Sequence, residues 1–470
     1  MDISLQFVKN INKLLWDNLL IFLLVGTGIY FTIRLSGIQF RRLKTGLGLL
    51  FSGLGKSRQK KEGKADKKTG SISSFQALTT AIAAQVGTGN IAGAATALVA
   101  GGPGAIFWMW LSALFGMATI FAEAVLSQTT RFSRKGHILG GPHYYIRAIF
   151  KGKFGRFLAG FFSVAIILAL GFTGNMVQSN SISAAFSVAF GLPPLAIGIA
   201  MAAVASFIFI GGLKRIAAMT EKVVPFMALL YILGSLFVIF SNGNRIGTAF
   251  YQIFAGAFAP QAVLGSVAGI TIKQAVRYGV ARGLFSNEAG MGSTPHAHAT
   301  ADVKHPAEQG IIAMVGVFID TFIILTLTAL VILTSGILDS IFQLPASGRP
   351  TGVALAQTAY ESAMGPVGAI FIAICILFFG FTTIVSWYYF GEVNFRTLFG
   401  DKFVPLYSII VLGFIIAGSI LKVELVWELS DTLNGLMVLP NLIALIAGAG
   451  LVKKILQEHD KGLLKQPLRK

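Results

Sequence analysis

Long apolar runs, separated by short polar segments, occupy most of this chain. Eleven runs approach or exceed the ~20 mostly apolar residues that a helix needs to cross a bilayer. They lack the alternation, over roughly ten residues, that is typical of membrane β-barrel strands. The pattern therefore predicts an all-α polytopic membrane protein with about 11 transmembrane helices. The predicted spans are 14–34, 72–101, 104–130, 155–189, 193–212, 222–241, 260–285, 308–335, 354–395, 403–421 and 430–452.

Composition agrees with a membrane protein and removes two other possibilities. Hydrophobic residues make up 54% of the chain and charged residues 12%, whereas soluble proteins carry about 25% charged residues. A net charge of +19 would suggest nucleic-acid binding in a soluble protein. Here the charge falls mainly in loops beside the spans, so we expect no nucleic-acid partner. The single cysteine, Cys375, excludes an intramolecular disulfide.

Lysine and arginine are unevenly divided between the two ends of the predicted helices. Of the 38, 33 fall in alternate loops or in the C-terminal tail, and the positive-inside rule places these segments in the cytoplasm. We therefore expect a multi-pass protein of the cell membrane, with its N-terminus outside and its C-terminus in the cytoplasm. The first apolar run is followed by Arg34 and is interpreted as a span rather than a cleaved signal peptide. The predicted cytoplasmic segments are 34–68, 131–156, 214–222, 273–304, 396–402 and 453–470.

The second span contains a stretch that disfavours a continuous helix. Residues 71–101 would form a helix of about 45 Å, against a hydrocarbon core of about 30 Å. Its middle holds Gly87, Thr88, Gly89 and Asn90, which are poor helix formers. We expect a discontinuous helix whose second half begins at Asn90 and directs its positive N-terminus at an anion. Close helix packing through small residues is the alternative.

The seventh span, 260–285, has several glycines as well as three cationic residues, and resembles the second span in being interrupted. Paired interruptions in corresponding helices are typical of transporters built from inverted repeats. The predicted organisation is an extra N-terminal helix with a basic cytoplasmic linker (1–70), two five-helix repeats of opposite orientation (71–245 and 246–452) and a basic cytoplasmic tail (453–470). The glycine spacing before Lys56 does not fit a phosphate-binding loop, so we expect no ATPase in this chain.

Several stretches together resemble the alanine/glycine:cation symporter (sodium:alanine symporter) family. The resemblance covers nearly the whole chain. It implies sodium-coupled uptake of alanine or glycine, and a leucine-transporter-type 5+5 inverted repeat with one additional N-terminal helix. The matching stretches are 85–93, 101–110, 285–298 and Asp320-Thr321.

The chemistry of a small zwitterion assigns roles to residues of the second and fourth spans. The hydroxyl of Thr88 and the amides of Gly87 and Gly89 suit the substrate carboxylate, and Asn90 orients the turn. Gln178, a polar residue inside the fourth span, is the expected acceptor for the substrate ammonium group. Hydrogen bonding between helices is the alternative for Gln178.

The ninth span supplies the expected sodium ligands. Thr382 and Ser386 lie one turn apart on one helix face, and their hydroxyls could bind sodium together with carbonyls of the broken second span from Ala84 to Val86. On the neighbouring face, the sequence assigns Thr383 and Trp387 to the substrate site, where the Trp387 ring would limit the size of the substrate side chain. Hydroxyl bonding within the helix, and packing of the tryptophan, are the alternatives.

Carboxylates inside spans are further candidates for function. We expect Glu123 to pair with Arg131 or a neighbouring arginine, and Asp320 either to pair with a cation of the seventh span or to act in gating or coupling. His296 and His298 are interpreted as residues of a cytoplasmic loop rather than metal ligands. The competing functions are a permease subunit of an ATP-driven importer and a channel. The spans lack a catalytic or metal-ligand motif, so we expect no enzyme activity.

Overall fold

The computed structural model describes residues 3–59, 71–134, 136–260, 270–345 and 348–463, and most of these residues are helical. Several helices contain short π-helical segments or are interrupted. The first half of the chain contains α1 (Ile3–Leu15), α2 (Ile21–Arg34), α3 (Ile38–Gln59), β1 (Ile72–Ser73), α4 (Ser74–Gln85), α5 (Ala94–Gly101), α6 (Gly104–Thr130), β2 (Phe132–Arg134), β3 (His137–Leu139), α7 (Pro142–Ile149), α8 (Gly152–Ile166), α9 (Asn175–Phe190), α10 (Pro194–Phe209) and α11 (Gly212–Ser241).

The second half is also helical, and among its described α-helices α14 and α17 have only five and six residues. It contains α12 (Ile246–Phe258), α13 (Ile272–Asn287), α14 (Pro295–Ala299), β4 (Ala301–Asp302), α15 (Pro306–Val317), α16 (Thr326–Ser335), α17 (Ile337–Phe342), α18 (Gly352–Met364), α19 (Val367–Phe399), α20 (Val404–Ile420) and α21 (Val423–Asp460). The π-helical segments Trp16–Leu20, Gly89–Gly93, Ile167–Gly174 and Phe318–Leu325 precede α2, α5, α9 and α16 respectively.

Seven helices in the described part of the chain are long and apolar enough to cross a membrane, or nine if each of two bent helix pairs forms one span. The first bent pair is α2 with the beginning of α3, at 81°. The second is α4 with the helix that runs from Gly89 to Gly101, at 44°. The central helices α4, α6, α15 and α19 are largely buried, and many of the molecule's buried polar side chains lie on them.

Two predicted spans have different boundaries in the structure. The ninth, 354–395, covers two helices, because Gly365 takes φ +61° after α18 and Pro366 precedes α19. The apolar run continues through this bend, so apolar character alone did not reveal it. The seventh span was placed at 260–285, but its helix begins at Ile272 and ends at Asn287, and residues 261–269 lie outside the described residues.

Three cationic residues of α13 lie at the end of the protein opposite to the cytoplasmic end that the sequence predicted for them. Arg282 forms an ion pair with Asp431, at 2.7 Å, near the beginning of α21, where Trp16 also donates to the Asp431 carbonyl. Lys273 and Arg277 precede Arg282 on α13. The N-terminal helix and the start of α21 are the end that the charge rule assigns to the outside, so the charge asymmetry is weaker than the sequence suggested.

Candidate functional site

The predicted break in the second span lies between α4 and α5. Helix α4 begins with a capping box, in which Ser73 and Gln76 exchange hydrogen bonds, and it ends at the buried residue Gln85. Val86 (φ −80°, ψ 79°) forms a γ-turn that is closed by a 2.9 Å hydrogen bond from the Gly87 amide to the Gln85 carbonyl. The Val86 amide still donates to the Ile82 carbonyl at 2.7 Å, so the turn removes Gly87 from the helical hydrogen-bond ladder, at a point where every neighbouring residue is buried.

Residues of the fourth and ninth spans surround this break. The Thr88 amide donates to Oε1 of Gln178 at 3.1 Å. A Cβ atom at Gly87 would lie 2.6 Å from the Thr383 hydroxyl and 3.2 Å from the same Gln178 oxygen. A side chain at position 87 would therefore collide with both helices, and glycine permits their approach. The hydroxyl of Thr88 is buried and has no hydrogen-bond partner in the structure.

Asn90 fixes the turn and links it to an acidic residue. Its side-chain oxygen accepts from the Gly87 amide at 3.1 Å, and its side-chain nitrogen donates to the Asp320 carboxylate at 2.7 Å. Asp320 also accepts from the hydroxyls of Ser286 (3.0 Å) and Thr321 (2.8 Å). The expected ion pair of Asp320 with a cation of the seventh span is not formed. Neutral donors satisfy this carboxylate, and Asp320 joins the second span to the seventh.

The seventh span is interrupted just after α13. Glu288 takes a left-handed conformation (φ 58°), and Gly290 and Gly292 also have positive φ values. The carbonyl of Asn287, at the end of α13, accepts from the Gln85 side chain at 2.8 Å. The two interruptions therefore contact each other directly, through the last residue of α4 and the last residue of α13.

Glu288 connects the second interruption to the ninth span. It is buried, and it accepts from the Ser293 hydroxyl at 2.5 Å and from the indole nitrogen of Trp387. The Trp387 ring packs edge-to-face against Phe285, with ring centroids 5.9 Å apart. A Cβ at Gly174 would lie 2.7 Å from the same indole ring. These contacts hold Trp387 in a fixed orientation beside the second interruption.

Glu123, on α6, binds the glycine-containing part of the seventh-span interruption. Its carboxylate accepts from the amides of Gly290 (3.1 Å) and Gly292 (2.9 Å) and from the Asn441 side chain (2.6 Å). The predicted pairing with Arg131 is wrong. Arg131 donates instead to main-chain carbonyls, including that of Ala299 at 2.7 Å. Amides freed by the broken helix offer this carboxylate donors that a sequence does not reveal.

Oxygen atoms of α4 and α19 cluster beside the first interruption. The Thr383 hydroxyl lies 2.8 Å from the Ala83 carbonyl oxygen and 2.9 Å from the Phe379 carbonyl oxygen. The Thr382 hydroxyl lies 3.0 Å from that Phe379 oxygen and 2.9 Å from the Phe378 oxygen. Four of these oxygens therefore follow one another at hydrogen-bond distances, from Ala83 through Thr383 and Phe379 to Thr382.

The remaining predicted ligands are arranged differently from the expectation. Thr383, which the sequence assigned to the substrate, contacts the carbonyl of Ala83, one residue before Ala84. Val86 contributes the turn described above. The Ser386 hydroxyl is buried and has no hydrogen-bond partner in the structure. A Cβ at Gly89 would lie 3.2 Å from a ring carbon of Phe285, so Gly89 permits the two interruptions to pack closely.

His296 and His298 lie on the short helix α14 and are buried rather than placed in a loop. Hydrogen bonds of 2.8, 2.9 and 2.9 Å connect His296 in turn to side chains of α19, α8 and α7. These hydrogen bonds form a series whose first four residues, in order, are His143, Ser163, Asn394 and His296. The series continues through Ser293 to Glu288. No group of three or more His, Cys, Asp or Glu residues suited to a metal ion occurs among the described residues.

Glu288, Ser286 and Ala83 are the contributors that sequence reasoning missed. Glu288 was counted with a cytoplasmic loop, because the predicted seventh span ended at residue 285. The available signal was an acidic residue inside the glycine-rich stretch that ends at Gly292, between two apolar segments.

Two interrupted helices that meet deep in a helical membrane protein, beside freed amides and clustered oxygens, are typical of ion-coupled secondary transporters. The particular family follows from comparison of the sequence. The chain belongs to the sodium:alanine symporter family, whose model matches residues 1–468. Sodium is the co-transported ion of this family.

Two relatives agree with this assignment, and one solved structure has a similar fold. The chain is 42% identical to the probable sodium/glutamine symporter GlnT of Bacillus subtilis, covering 96% of this chain and 89% of the relative. It is 40% identical to the sodium/alanine symporter AgcS of Methanococcus maripaludis, covering 95% of each. The crystal structure of MhsT in complex with L-phenylalanine has a similar fold, with a TM-score of 0.58 and 15% identity over 83% of this chain and 100% of that chain.

Proposed function

We propose that this protein imports alanine and glycine together with sodium, by alternating access of a single site at the two helix interruptions. The observation that carries the proposal is the oxygen cluster of Ala83, Phe379, Thr382 and Thr383, directly beside the unpartnered hydroxyl of Thr88. An ion site and an anion-binding turn therefore share the same few residues of the second span. This arrangement supports coupled binding of an ion and an amino acid.

The hydrogen count of the oxygen cluster supports a cation ligand set. Each threonine hydroxyl has one hydrogen to donate. Thr383 faces two carbonyl oxygens and Thr382 faces two, so neither hydroxyl can satisfy both of its neighbours. If each donates to the carbonyl one turn back on α19, lone pairs of both hydroxyls remain free, and so does the Ala83 carbonyl. Carbonyls of unwound helices serve as sodium ligands in this type of fold. Ala84, Val86 and Ser386 remain proposed as additional ligands.

The proposed carboxylate site is the turn from Gly87 to Asn90. Thr88 has a free, buried hydroxyl, and the helix that starts at Gly89 directs its amides and positive dipole end at the same place. Gln178 already accepts from the Thr88 amide, but a carbonyl oxygen can accept a second hydrogen bond, so it remains the proposed ammonium acceptor. Thr383 borders both the proposed sodium site and the proposed carboxylate site.

The side chains beside the interruptions support a small substrate. Trp387 is anchored by Glu288 and packs on Phe285, and both rings are buried next to the turn that would hold the carboxylate. A methyl group or a hydrogen atom fits beside such a wall more readily than a long side chain. Because one relative is a probable glutamine symporter, glutamine is the competing substrate to test.

The architecture we propose is eleven spans, as one N-terminal helix and a 5+5 inverted repeat. The short apolar helix α10 and the interrupted pair α13–α14 would bring the nine spans and bent pairs to eleven. The first proposed spanning helix of each repeat, α4 and α13, starts with the same capping box, Ser73 with Gln76 and Thr271 with Gln274. We keep the predicted repeat boundaries, 71–245 and 246–452, and the predicted orientation with the N-terminus outside.

Uptake into proteoliposomes tests this function. Purified protein is reconstituted, and labelled alanine, glycine and glutamine are offered separately with an inward sodium gradient, with equal sodium on both sides, and with potassium instead of sodium. The proposal expects accumulation of alanine and glycine above equilibrium only with the inward sodium gradient. Accumulation of glutamine alone would replace the substrate assignment, and flux that never saturates would favour a channel.

A further inference from the structure

A large cavity opens on the face of the protein that carries the loops predicted to be cytoplasmic. It has a volume of about 940 Å³ and lies between the β2–β3 hairpin, α7, the beginning of α8 and the end of α19. Its described lining contains no residue of either helix interruption, and the proposed transport function leaves it without a role. We call it the basic cavity, because five cationic residues line it: Arg134, Arg147, Arg156, Arg396 and Lys402.

The lining is strongly unbalanced in charge. Asp401 is the acidic residue among its described lining residues, and Arg396 pairs with it at 2.9 Å and also with Glu392. Within the described part of the chain, no ion pair is formed by Arg134, Arg147 or Arg156. Arginine side chains are planar forks that bind phosphate oxygens in pairs.

His143 adds little to this charge. His143 lines the cavity and is mostly buried, and burial lowers its pKa to about 4. It is therefore neutral at physiological pH, and it contributes a hydrogen bond to Ser163 at 2.9 Å. The positive field comes from the arginines and Lys402.

Exposed apolar side chains stand next in sequence to residues that line the cavity. Phe157 is 69% exposed and follows Arg156 on α8, and Phe161 is 40% exposed and follows Gly160, another lining residue. On the opposite rim, Phe399 is 54% exposed at the end of α19. Exposed aromatic rings next in sequence to residues of a basic cavity, at the predicted boundary of membrane and cytoplasm, fit a molecule that has an anionic head and apolar tails.

We propose that the basic cavity binds the headgroup of an anionic phospholipid, whose acyl chains lie along the exposed phenylalanines of α8 and the end of α19. The phosphate is held by Arg147 and Arg156, with Lys402 on the other wall. Basic pockets between spans on the cytoplasmic side are the sites where such headgroups bind membrane proteins. A soluble anion would use the arginines but gain nothing from the adjacent phenylalanines.

Native mass spectrometry of the full chain in detergent tests the proposal. Dioleoylphosphatidylglycerol, dioleoylphosphatidylcholine and inorganic phosphate are titrated separately, and the bound molecules are counted. The parent should retain phosphatidylglycerol in preference to phosphatidylcholine. Arg147→Gln with Arg156→Gln should weaken phosphatidylglycerol binding roughly 25-fold, the effect expected for two membrane-proximal charges.

Two further variants separate the cavity from general charge and from misfolding. Lys453→Gln with Lys454→Gln removes two cationic residues near the end of α21, outside the cavity lining, and should keep the parental affinity. Lys402→Gln removes one charge from a turn that no buried contact requires, and should weaken binding about fivefold. Equal affinity of the parent and the cavity variants would overturn the proposal. Inorganic phosphate that binds with the same affinity as the lipid would overturn the assignment to a phospholipid.

Discussion

Replacing Thr383 with valine removes a single hydroxyl from the contact between α19 and α4 and leaves the shape of the side chain nearly unchanged. That hydroxyl lies 2.8 Å from the Ala83 oxygen and 2.9 Å from the Phe379 oxygen. If it binds sodium, the variant loses one of a handful of oxygen ligands to a buried charge. Interactions of this kind with charged groups contribute about 2 kcal/mol, which corresponds to a roughly 30-fold weaker affinity for sodium.

The assay is equilibrium binding of labelled alanine to purified protein over a sodium titration. Thr383→Val should shift the half-saturating sodium concentration upward by roughly that 30-fold, and saturating sodium should restore much of the alanine affinity, since linkage acts through occupancy of the ion site. Thr382→Val should shift it in the same direction, because its hydroxyl lies 3.0 Å from the same Phe379 oxygen.

Thr328→Val is the matched control for this experiment. Its hydroxyl is also buried, bonded to the Tyr231 hydroxyl at 2.6 Å, and it lies outside the oxygen cluster. This control should bind sodium and alanine as the parent does. A sodium titration of Thr383→Val that coincides with those of the parent and the control would refute the sodium site.

Four other outcomes are expected. Gly87→Ala should abolish alanine binding, because its Cβ would lie 2.6 Å from a hydroxyl oxygen, whereas Gly93→Ala, with nothing within 4 Å, should bind normally. Thr88→Ala should weaken alanine binding by about 1–2 kcal/mol, roughly tenfold at saturating sodium, and unchanged affinity would move the carboxylate site elsewhere. Trp387→Ala should let larger apolar amino acids compete with labelled alanine while the sodium titration stays parental; retained size selectivity would reduce this ring to packing. Ser133→Cys, on the exposed β2 strand, should react with an impermeant thiol reagent only from the cytoplasmic side of oriented vesicles, and labelling from outside would reverse the orientation.

The sequence was most informative where a local pattern conflicted with its surroundings. Two glycines, a hydroxyl and an amide in the middle of an overlong apolar run predicted the interruption at Gly87–Asn90, and the structure has a turn and a 44° bend there. The seventh span was harder to delimit, because Lys273, Arg277 and Arg282 lower its apolar character. Its position in the structure depends on tertiary contacts that the sequence does not show, such as the ion pair between Arg282 and Asp431.

Partners that come from distant parts of the chain could not be predicted. Glu123 and Asp320 were expected to pair with arginines or lysines, because a buried carboxylate usually requires a cation or several donors. The donors are amides of a broken helix and neutral side chains, and only the assembled fold brings them near. Similarly, one-turn spacing grouped Thr382 with Ser386, but spacing alone does not fix the rotation of α19 that directs Thr383 at Ala83.

The central claim is that sodium and the amino acid bind to adjoining parts of one interrupted helix, and reciprocal binding measurements test it most directly. Alanine affinity is measured with and without saturating sodium, and sodium affinity is measured with and without saturating alanine, on the same purified protein. If the ion and substrate share residues 83–90, each ligand should strengthen binding of the other by the same factor, as linkage requires. Alanine binding that is independent of sodium would contradict the account.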